Sequence, residues 1–416
     1  MSNINARLLN ILLIVPSYAC TSKTGGGQRT LLIFNALKLM GKVDVLVLDY
    51  FGEAEFVSES FMDAHFYSST KLLACAEIGA WRFFRPLFPN LLDKLARTFG
   101  ATKYLYLADS HAVVTTKKLL SKSQYDVVVG RYLKPIAQSG ILDLTNAPFV
   151  LDLDDSDDAV IKSKLGRREL SVIKKLALKH QLKQTISILE VMLPKFSHVW
   201  LASDSDLQKT PHRSKSVLPN IAYIPNNKVS IHPLPEALNS KVVLFVGAFA
   251  HKVNVEGIER FITHCWPKIK AQVTDATLRI VGSGGWEDMR QKYTHDKTIN
   301  IIGFVEELED EYQNAAFTVV PLFEGGGTKI KILESMFYQR TCLISHHAQY
   351  GYEKLQHRES LLVAKNEAEL ISGCVELLTN PNLRETLARN GHKSVVSDYS
   401  TAQFNKIVSD AIKNFS

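Results

Sequence analysis

The segment Pro321–Met336 carries residues that suit the binding of an anion. The apolar run before it predicts a strand that ends at Pro321, and a helical pattern begins near Thr328. Lys329 and Lys331 would place positive charge beside the free backbone N–H groups at the start of that helix. Three consecutive glycines precede the helix and would expose further N–H groups: Gly325, Gly326 and Gly327. The pattern predicts a diphosphate site.

Lys331 and Glu334 stand three residues apart, so they share one face of the predicted helix. Lys331 would hold a phosphate group while Glu334 accepts hydrogen bonds from ribose hydroxyls. The alternative is an ordinary surface Lys–Glu pair, which contributes only about 0.2–1 kcal/mol. We favour the binding interpretation because the pair directly follows Gly-Gly-Gly-Thr.

A second glycine cluster, Gly25-Gly26-Gly27, lies between the first apolar run and the first helical pattern. Gly26 and Gly27 would let a ligand approach the start of that helix closely. The spacing is not Gly-x-Gly-x-x-Gly, and no Gly-Lys-Ser/Thr follows, which excludes a dinucleotide fingerprint and a P-loop. The alternative is a flexible turn without a ligand.

An acidic segment follows a predicted strand of the first half and holds five carboxylates: Asp152, Asp154, Asp155, Asp157 and Asp158. At the carboxyl end of a parallel strand, such a segment would face a binding crevice. Asp152 or Asp154 could then act as a base on an acceptor hydroxyl. The segment lacks the later Gly and Glu of an EF-hand. The alternative is a solvated loop that caps the next helix.

Short apolar runs alternate with longer helical patterns along the whole chain, which favours an α/β fold. Several runs are continuously apolar, as is typical of parallel strands buried on both faces. The strands predicted in the first half are Ile11–Val15, Val43–Leu48, Val127–Gly130, Pro148–Leu153 and Val199–Ala202. Those predicted in the second half are Val242–Gly247, Leu278–Gly282, Ile299–Gly303, Thr318–Pro321, Thr341–Ile344 and Ser360–Val363. The clearest helices are Gln28–Met40, Asn254–Gln272, Lys329–Gln339 and Glu367–Leu378.

A proline-rich segment, Pro219–Ser240, separates the two halves and has the composition of a linker. We therefore predict two doubly wound, Rossmann-like domains, residues 1–232 on the acceptor side and residues 233–398 on the nucleotide-sugar side. Residues 399–416 are predicted to form a tail helix.

The formal net charge of +7 belongs to the first half. Residues 1–232 hold 29 Lys and Arg against 20 Asp and Glu, whereas residues 233–416 hold 20 against 22. This asymmetry indicates an anionic partner for the first half. The five cysteines are odd in number and widely spaced, which argues against a disulfide framework or a thiolate metal site. The cysteine pattern suits a reducing cytosol, so we expect a cytoplasmic protein, and no Cys or His motif indicates a bound metal. No run of ~18 apolar residues indicates a membrane span.

Two basic segments of the first half suit an anionic membrane surface. Residues 162–183 hold eight Lys and Arg against one acid, with an apolar stripe at helical spacing. Residues 81–89 interleave aromatic side chains with arginines. Cationic helices with apolar anchors bind anionic lipids, so peripheral attachment to the inner face of the plasma membrane is one prediction. A solvated helix face beside ordinary core aromatics is the alternative.

From Val242 to Tyr399, the sequence resembles the C-terminal half of retaining, family-4-like glycosyltransferases (glycosyl transferases group 1) of the GT-B fold. The resemblance runs through Phe245-Val-Gly247, Asn254, Arg279-Ile-Val-Gly282, Gly303-Phe-Val305, Ala316-Phe-Thr-Val-Val-Pro321, Gly327-Thr-Lys-Ile-Lys-Ile-Leu-Glu-Ser-Met336, Asn380-Pro-Asn-Leu-Arg384 and Asp398-Tyr-Ser400. The first half is similar more loosely, through Gly25–Gly27, Asp126–Val129, Asp152–Asp155, Ser203 and Pro225-Asn226. The resemblance implies two Rossmann-like domains that face each other across a cleft, with a tail helix that crosses back to the first domain.

The resemblance also implies a nucleotide-sugar site. Glu334 would bind the ribose, Lys331 the diphosphate, and the backbone of Gly303, Phe304 and Val305 the base. Further donor contacts are expected from Gly26, Gly27, Gly247, Asn254, Gly282, Gly325, Gly326, Gly327, Thr328 and Lys329. Many relatives have a Glu eight residues before the ribose-binding Glu. This chain has Gly326 there, and the nearby Glu324 is our candidate for the sugar contact. Many also carry Arg and Lys where this chain has Ala248 and Val253.

The implied activity is transfer of a hexosyl-type sugar from a nucleoside diphosphate sugar to a saccharide or lipid-linked acceptor, in cell-surface polysaccharide synthesis. The donor is the substrate, and no cofactor or metal is expected. A nucleotide-sugar epimerase or a phosphorylase of the same fold is an alternative. A non-catalytic nucleic-acid-binding protein that uses the basic half is another, although no recognition helix, aromatic RNA platform or zinc module is legible.

Overall fold

The computed structural model describes residues 7–20, 24–49, 65–70, 102, 106–154, 156–166, 170–222, 236–413 and 415. Contacts divide the chain into two compact units. The first comprises Met1–Pro219 with Phe404–Ser416, and the second comprises Asn220–Gln403. The predicted boundary between residues 232 and 233 and the basic segment 81–89 lie outside the described residues.

The first unit is built on a parallel sheet. Its strands are β1 (Leu9–Pro16), β2 (Gly41–Asp49), β3 (His65–Thr70), β4 (Val127–Arg131), β5 (Phe149–Asp154), β6 (His198–Leu201) and β7 (Lys215–Val217). Its helices are α1 (Gly25–Lys38), α2 (Ser110–Leu120), α3 (Leu133–Ser139), α4 (Asp157–Leu165), α5 (Val172–Met192) and α6 (Asp204–Lys209). The strand order is β3-β2-β1-β4-β5-β6-β7, and neighbouring strands pair in parallel.

The second unit repeats this architecture. Its strands are β8 (Val242–Val246), β9 (Thr277–Val281), β10 (Ile299–Gly303), β11 (Phe317–Val320), β12 (Cys342–Ser345) and β13 (Leu362–Ala364). Its helices are α7 (Lys252–His264), α8 (Trp266–Lys270), α9 (Glu287–Lys292), α10 (Glu309–Asn314), α11 (Lys331–Phe337), α12 (Glu367–Thr379) and α13 (Pro381–Asp398), and α14 (Thr401–Lys413) follows. The strands pair in parallel in the order β10-β9-β8-β11-β12-β13.

Continuously apolar strands explain why both sheets are buried. Every side chain from Ile11 to Val15 in β1 is inaccessible to solvent, and so are Val243, Leu244 and Phe245 in β8. A strand with both faces buried needs helices on each side, which is the doubly wound arrangement. The predicted α/β fold class is thereby confirmed.

Several predicted helices have different bounds in the structure. The helix predicted over Gln28–Met40 spans Gly25–Lys38, so the first glycine cluster forms its first turn. The predicted helix Asn254–Gln272 is divided at Cys265 into α7 and α8. Pro267 explains the break, since it lacks an N–H group and its ring clashes with the preceding helical turn. The helix expected near Thr328 begins only at Lys331. Among the described residues, no helix is both long enough and apolar enough to span a bilayer.

Candidate functional site

The strand order of the second unit reverses between β8 and β11, and a doubly wound sheet opens a crevice at such a point. The neighbouring strands β8 and β11 are followed by strands on opposite sides of the sheet. Loops that leave the carboxyl ends of such a pair diverge, and ligands of doubly wound proteins bind between them. Gly247 directly follows β8, and the glycine loop Gly325–Thr328 follows β11. The topology therefore brings together two segments that the sequence singled out.

Three glycines at adjacent strand ends allow the backbone to approach closely. The Gly247 N–H donates to Val281 O (2.9 Å), and the Gly282 N–H donates to Gly303 O (2.8 Å). Gly282 has φ +152° and Gly303 has φ +87°. A Cβ at Gly282 would overlap the carbonyl oxygen of Gly247, and one at Gly247 would lie 3.0 Å from Lys331 Nζ. The glycines are thus required for this packing of β8, β9 and β10.

Lys331 lies in the crevice beside Gly247. Its ammonium donates to Asn254 Oδ1 (2.9 Å) and lies 4.8 Å from the centre of the Phe245 ring. Burial lowers the pKa of Lys331 to about 7; Glu334 opposes this shift and Lys329 adds to it. A bound anion would restore the charge, because an opposite charge nearby favours the protonated form.

Glu334 lies one turn from Lys331 on α11 and has a different partner. Its carboxylate accepts a hydrogen bond from the Tyr312 hydroxyl (3.2 Å), and the Tyr312 ring stacks on Tyr338 with centroids 5.0 Å apart. Burial raises the pKa of Glu334, although Tyr312 and Lys331 act against it. The alternative of an exposed Lys–Glu pair is therefore wrong: both groups are partly buried, and each is hydrogen-bonded to another side chain.

The glycine loop is held from one side. Lys329 is buried, and its ammonium donates to Gly326 O (3.0 Å) and to Gly327 O. His347 Nε2 lies 2.7 Å from Gly325 O. These contacts tie down carbonyl groups of the loop and leave the Lys329 ammonium turned towards the loop itself. We therefore assign Lys329 to the shape of the loop, whereas the sequence had suggested a phosphate contact.

The rest of the loop is more open. Gly325 and Gly327 have φ of +100° and +74°, where glycine is favoured. Gly326 and Glu324 are exposed, and a Cβ at Gly326 would meet nothing within 4 Å. The Thr328 hydroxyl accepts a hydrogen bond from Asn220 Nδ2 (2.8 Å). Because α11 begins only at Lys331, the candidate hydrogen-bond donors to a phosphate are the loop amides and the Lys331 ammonium. The predicted helix N-terminus at Thr328 is absent from the structure.

In the segment predicted to bind the base, Gly303 to Val305, the side chain of Phe304 is exposed and that of Val305 is packed. The Phe304 side chain is 70% exposed directly after β10. Val305 packs against the hydrophobic cluster that contains Leu244 and Tyr312. The sequence had pointed only to the backbone of this segment, and its exposed aromatic ring is a further surface on which a base could stack.

In the first unit, α1 starts beside the strand-order reversal between β1 and β4. The Thr24 hydroxyl caps this helix by accepting from the Gly27 N–H (3.2 Å). The Gly26 carbonyl accepts from Arg131 Nη2 (3.1 Å), and a Cβ at Gly26 would lie 3.1 Å from Tyr132 Oη. Gly26 therefore allows α1 to begin close to the residues that follow β4.

A buried network of charges joins α1, β4 and β5. Arg29 Nη2 donates to Asp152 Oδ1 (2.6 Å), and Arg131 Nη1 donates to Asp152 Oδ2. Arg131 Nη2 lies 3.2 Å from Asp154 Oδ2, and Arg29 Nε lies 3.8 Å from Asp154 Oδ1. Asp152 is fully buried. Burial would raise the pKa of Asp152, but the two arginines outweigh it and hold the pKa below its ordinary value.

This network corrects the prediction for the acidic segment. Asp152 has no solvent access, and both of its oxygens bind arginines, so it cannot accept a proton from an incoming hydroxyl. Asp154 is buried as well, and its backbone has φ +51°. The alternative of a solvated loop is also wrong for these two residues. They stabilise the strand ends and the start of α1.

Tyr132 is a residue that sequence reasoning missed. It follows β4 with φ +63°, a conformation that bulky residues rarely adopt and that concentrates at functional sites. Its ring stacks on Tyr18 (centroids 6.2 Å apart, 28° between planes), and the Arg131 guanidinium lies 4.4 Å from its centre. In the sequence, Tyr132 was marked only as an aromatic residue directly after the basic end of an apolar strand.

The part of the chain that the structure describes contains no group of three or more His, Cys, Asp or Glu arranged to hold a metal.

Known structures share this architecture over nearly the whole chain. Sucrose-phosphate synthase from Thermosynechococcus elongatus aligns with a TM-score of 0.66 at 15% identity, covering 98% of each chain. HepE from Anabaena, in complex with UDP and glucose, aligns with a TM-score of 0.59 at 12% identity, covering 98% of this chain and 100% of its own. TarM aligns with a TM-score of 0.64 at 12% identity, covering 98% and 99%. The fold is GT-B.

For the second unit, sequence comparison agrees with the comparison of structures. Residues 240–380 match the family model of the glycosyl transferases group 1. Together with the fold, this match supports a glycosyltransferase. An uncharacterized 44.6 kDa protein in the cps region of Klebsiella pneumoniae is 23% identical over 301 residues, which cover 68% of this chain and 72% of that protein. Residues 240–380, which match the family model, contain β8, the glycine loop, Lys331 and Glu334.

Proposed function

We propose that the protein is a retaining glycosyltransferase that moves a hexosyl-type sugar from a nucleoside diphosphate sugar to a saccharide or lipid-linked acceptor. The observation that carries this proposal is the position of Lys331. Its ammonium is partly buried at the strand-order reversal of the second unit, 2.9 Å from Asn254 Oδ1 and beside Gly247. Burial lowers the pKa of this ammonium group to about 7, and a bound diphosphate would stabilise its charged form.

The neighbouring groups fit the rest of a nucleotide. Glu334, positioned by the Tyr312 hydroxyl, would accept hydrogen bonds from the ribose hydroxyls. The base would lie along the segment from Gly303 to Val305, with the exposed Phe304 ring as a stacking surface. Support comes from HepE, a protein of the same fold whose structure contains UDP and glucose.

The reaction requires charge stabilisation more than covalent chemistry. The bond between the sugar C1 and the diphosphate oxygen breaks, and a bond from C1 to the acceptor oxygen forms on the same face. The acceptor proton passes to an oxygen of the departing diphosphate. Lys331 and the amides of Gly325–Thr328 would neutralise the charge that develops on that diphosphate, and such preorganised charge lowers the barrier. Glu324, exposed beside this loop, is the candidate contact to the transferred sugar.

A role in cell-surface polysaccharide synthesis is supported by the relative in the Klebsiella cps region. Synthesis of this kind at the cytoplasmic face of a membrane would suit a lipid-linked acceptor.

A thermal-shift screen of the full chain against UDP, GDP, ADP and their sugars tests the donor. We expect one nucleotide to raise the unfolding temperature, since a ligand at 100 times its Kd stabilises a protein by about 2.7 kcal/mol. The winning sugar nucleotide is then incubated with and without a panel of saccharide and lipid-linked acceptors. Proton NMR of the product should show the anomeric configuration of the donor. An inverted product contradicts the retaining assignment, and conversion of the donor to an epimeric sugar nucleotide without any acceptor indicates an epimerase.

A further inference from the structure

The amino-terminal part of α5 exposes large apolar side chains. Val172, Ile173 and Leu176 are 74%, 72% and 62% exposed. The same helix buries Thr185 and Leu189 in its second half. At about 100° per residue, the three exposed side chains fall within roughly 100° of the helix circumference. By the same geometry, they lie on the side opposite Thr185 and Leu189. This surface is called the α5 face below.

Lysines flank the α5 face along one side: by the same helical geometry Lys175, Lys179 and Lys183 lie within or beside it, whereas Lys174 lies nearer to Thr185. Lys174, Lys175, Lys179 and Lys183 are all exposed, and the sequence has no acidic residue from Val172 to Leu189. None of these four ammonium groups forms an ion pair with another residue that the structure describes. By contrast, Lys162 in α4 pairs with Asp158, and Lys252 in α7 pairs with Glu256. The α5 face therefore combines unpaired positive charge with exposed aliphatic side chains.

A membrane surface accounts for both properties. Nucleic acid would neutralise the lysines but would leave the three aliphatic side chains without an apolar partner. An anionic bilayer offers phosphate groups to the lysines and acyl chains to Val172, Ile173 and Leu176. Helices with this composition lie in the interface with the apolar face about 5–10 Å deep. We propose that the α5 face, together with the lysines between Val172 and Lys183, docks the protein on a membrane rich in anionic lipids.

Docking does not depend on the proposed sugar transfer, because the α5 face contains none of the groups assigned to the donor. Each lysine near an anionic surface strengthens binding by roughly fivefold, and salt weakens the effect. Both charge and apolar insertion should therefore contribute, and substitution of either set of side chains should weaken binding.

Co-sedimentation of the full-length protein with vesicles tests the docking surface. Wild-type protein should pellet with phosphatidylcholine vesicles that contain 30% phosphatidylglycerol and stay in solution with pure phosphatidylcholine. The double variant Ile173→Glu/Leu176→Glu should lose at least about tenfold in partition constant. Lys175→Glu/Lys179→Glu should lose at least about 25-fold, following the fivefold effect of each lysine.

Matched controls separate docking from general surface effects. Val396→Glu changes a half-exposed aliphatic side chain (54%) on α13, and Lys117→Glu/Lys118→Glu reverses two exposed charges on α2. Both controls should bind vesicles like wild type. All variants should keep the wild-type unfolding temperature and its shift with the donor nucleotide. This shift reports separately on the sugar-transfer proposal.

Three outcomes would overturn the proposal. In the first, the α5 variants bind anionic vesicles as well as wild type does. In the second, wild-type protein binds duplex or single-stranded nucleic acid more tightly than vesicles at the same salt concentration. In the third, wild-type protein ignores vesicles but forms a dimer that Ile173→Glu/Leu176→Glu dissociates, which would make the α5 face an interface between copies of the chain.

Discussion

Replacing Lys331 by methionine should stabilise the ligand-free protein while removing its affinity for the donor. The Lys331 pKa is lowered from 10.5 to about 7, chiefly by burial. One pKa unit corresponds to about 1.4 kcal/mol, so holding the ammonium in the fold costs on the order of 3–5 kcal/mol. Methionine keeps most of the side-chain volume but leaves Asn254 Oδ1 without its donor, a loss of about 1 kcal/mol. The net gain in free energy of unfolding is about 2–4 kcal/mol near pH 7.

The pH dependence gives this prediction its sign. Between pH 7 and pH 10.5, the unfolded chain holds a proton on Lys331 that the folded chain has released, so the free energy of unfolding rises with pH. Below about pH 7, both states are protonated and the full penalty applies. The advantage of Lys331→Met should therefore be largest at and below about pH 7 and should disappear near pH 10.5.

Urea unfolding at pH 7 and pH 10, together with donor turnover, measures both effects. Loss of one charge contact to the transition state typically lowers kcat by about 10²–10³. Lys292→Met is the matched control, because this ammonium is exposed and pairs with Glu259 on the surface. Near-full turnover of Lys331→Met, or lower stability at pH 7, would refute the reasoning.

The remaining predictions concern the backbone, the charge network and the ribose contact. Gly282→Ala should lower the unfolding temperature by several degrees, because its Cβ overlaps a carbonyl oxygen, whereas Gly326→Ala should leave it unchanged because the space is open; equal effects in a thermal scan would contradict this packing. Asp152→Asn should destabilise the protein by about 3–5 kcal/mol in urea, since it leaves buried arginine charge uncompensated; lost turnover at unchanged stability would instead restore Asp152 as a base. Tyr312→Phe should weaken nucleoside diphosphate binding by about three- to tenfold, as expected for one hydrogen bond that orients Glu334; calorimetry showing unchanged affinity would separate Tyr312 from the site.

The fold was accessible from the sequence because apolar periodicity is a local signal. The runs at Ile11–Val15 and Val242–Gly247 are long, continuously apolar and followed by glycine or turn residues, so both strands could be predicted. The strands β3 and β7 and the order of strands in each sheet could not be predicted, because they depend on pairing between distant segments. The grouping of the candidate site residues at one edge of the second sheet could also be predicted, since parallel strands place their carboxyl ends at the same edge.

Side-chain direction was not accessible, because it depends on contacts between distant residues. Lys329 and Lys331 look alike in the sequence, but the Lys329 ammonium turns to carbonyls of its own loop and the Lys331 ammonium turns to Asn254. Asp152 looked like a base because its two partners, Arg29 and Arg131, are separated from it by 123 and 21 residues. Spacing along the chain predicts neither pairing.

Calorimetric titration of the full chain with nucleoside diphosphates and the matching monophosphates tests the central claim most directly. The account predicts that one diphosphate binds at least tenfold more tightly than its monophosphate. Lys331→Met should abolish this preference, and Lys292→Met should retain it. Equal affinity for the two nucleotides, or a diphosphate preference that survives Lys331→Met, would contradict a diphosphate site at the crevice between β8 and β11.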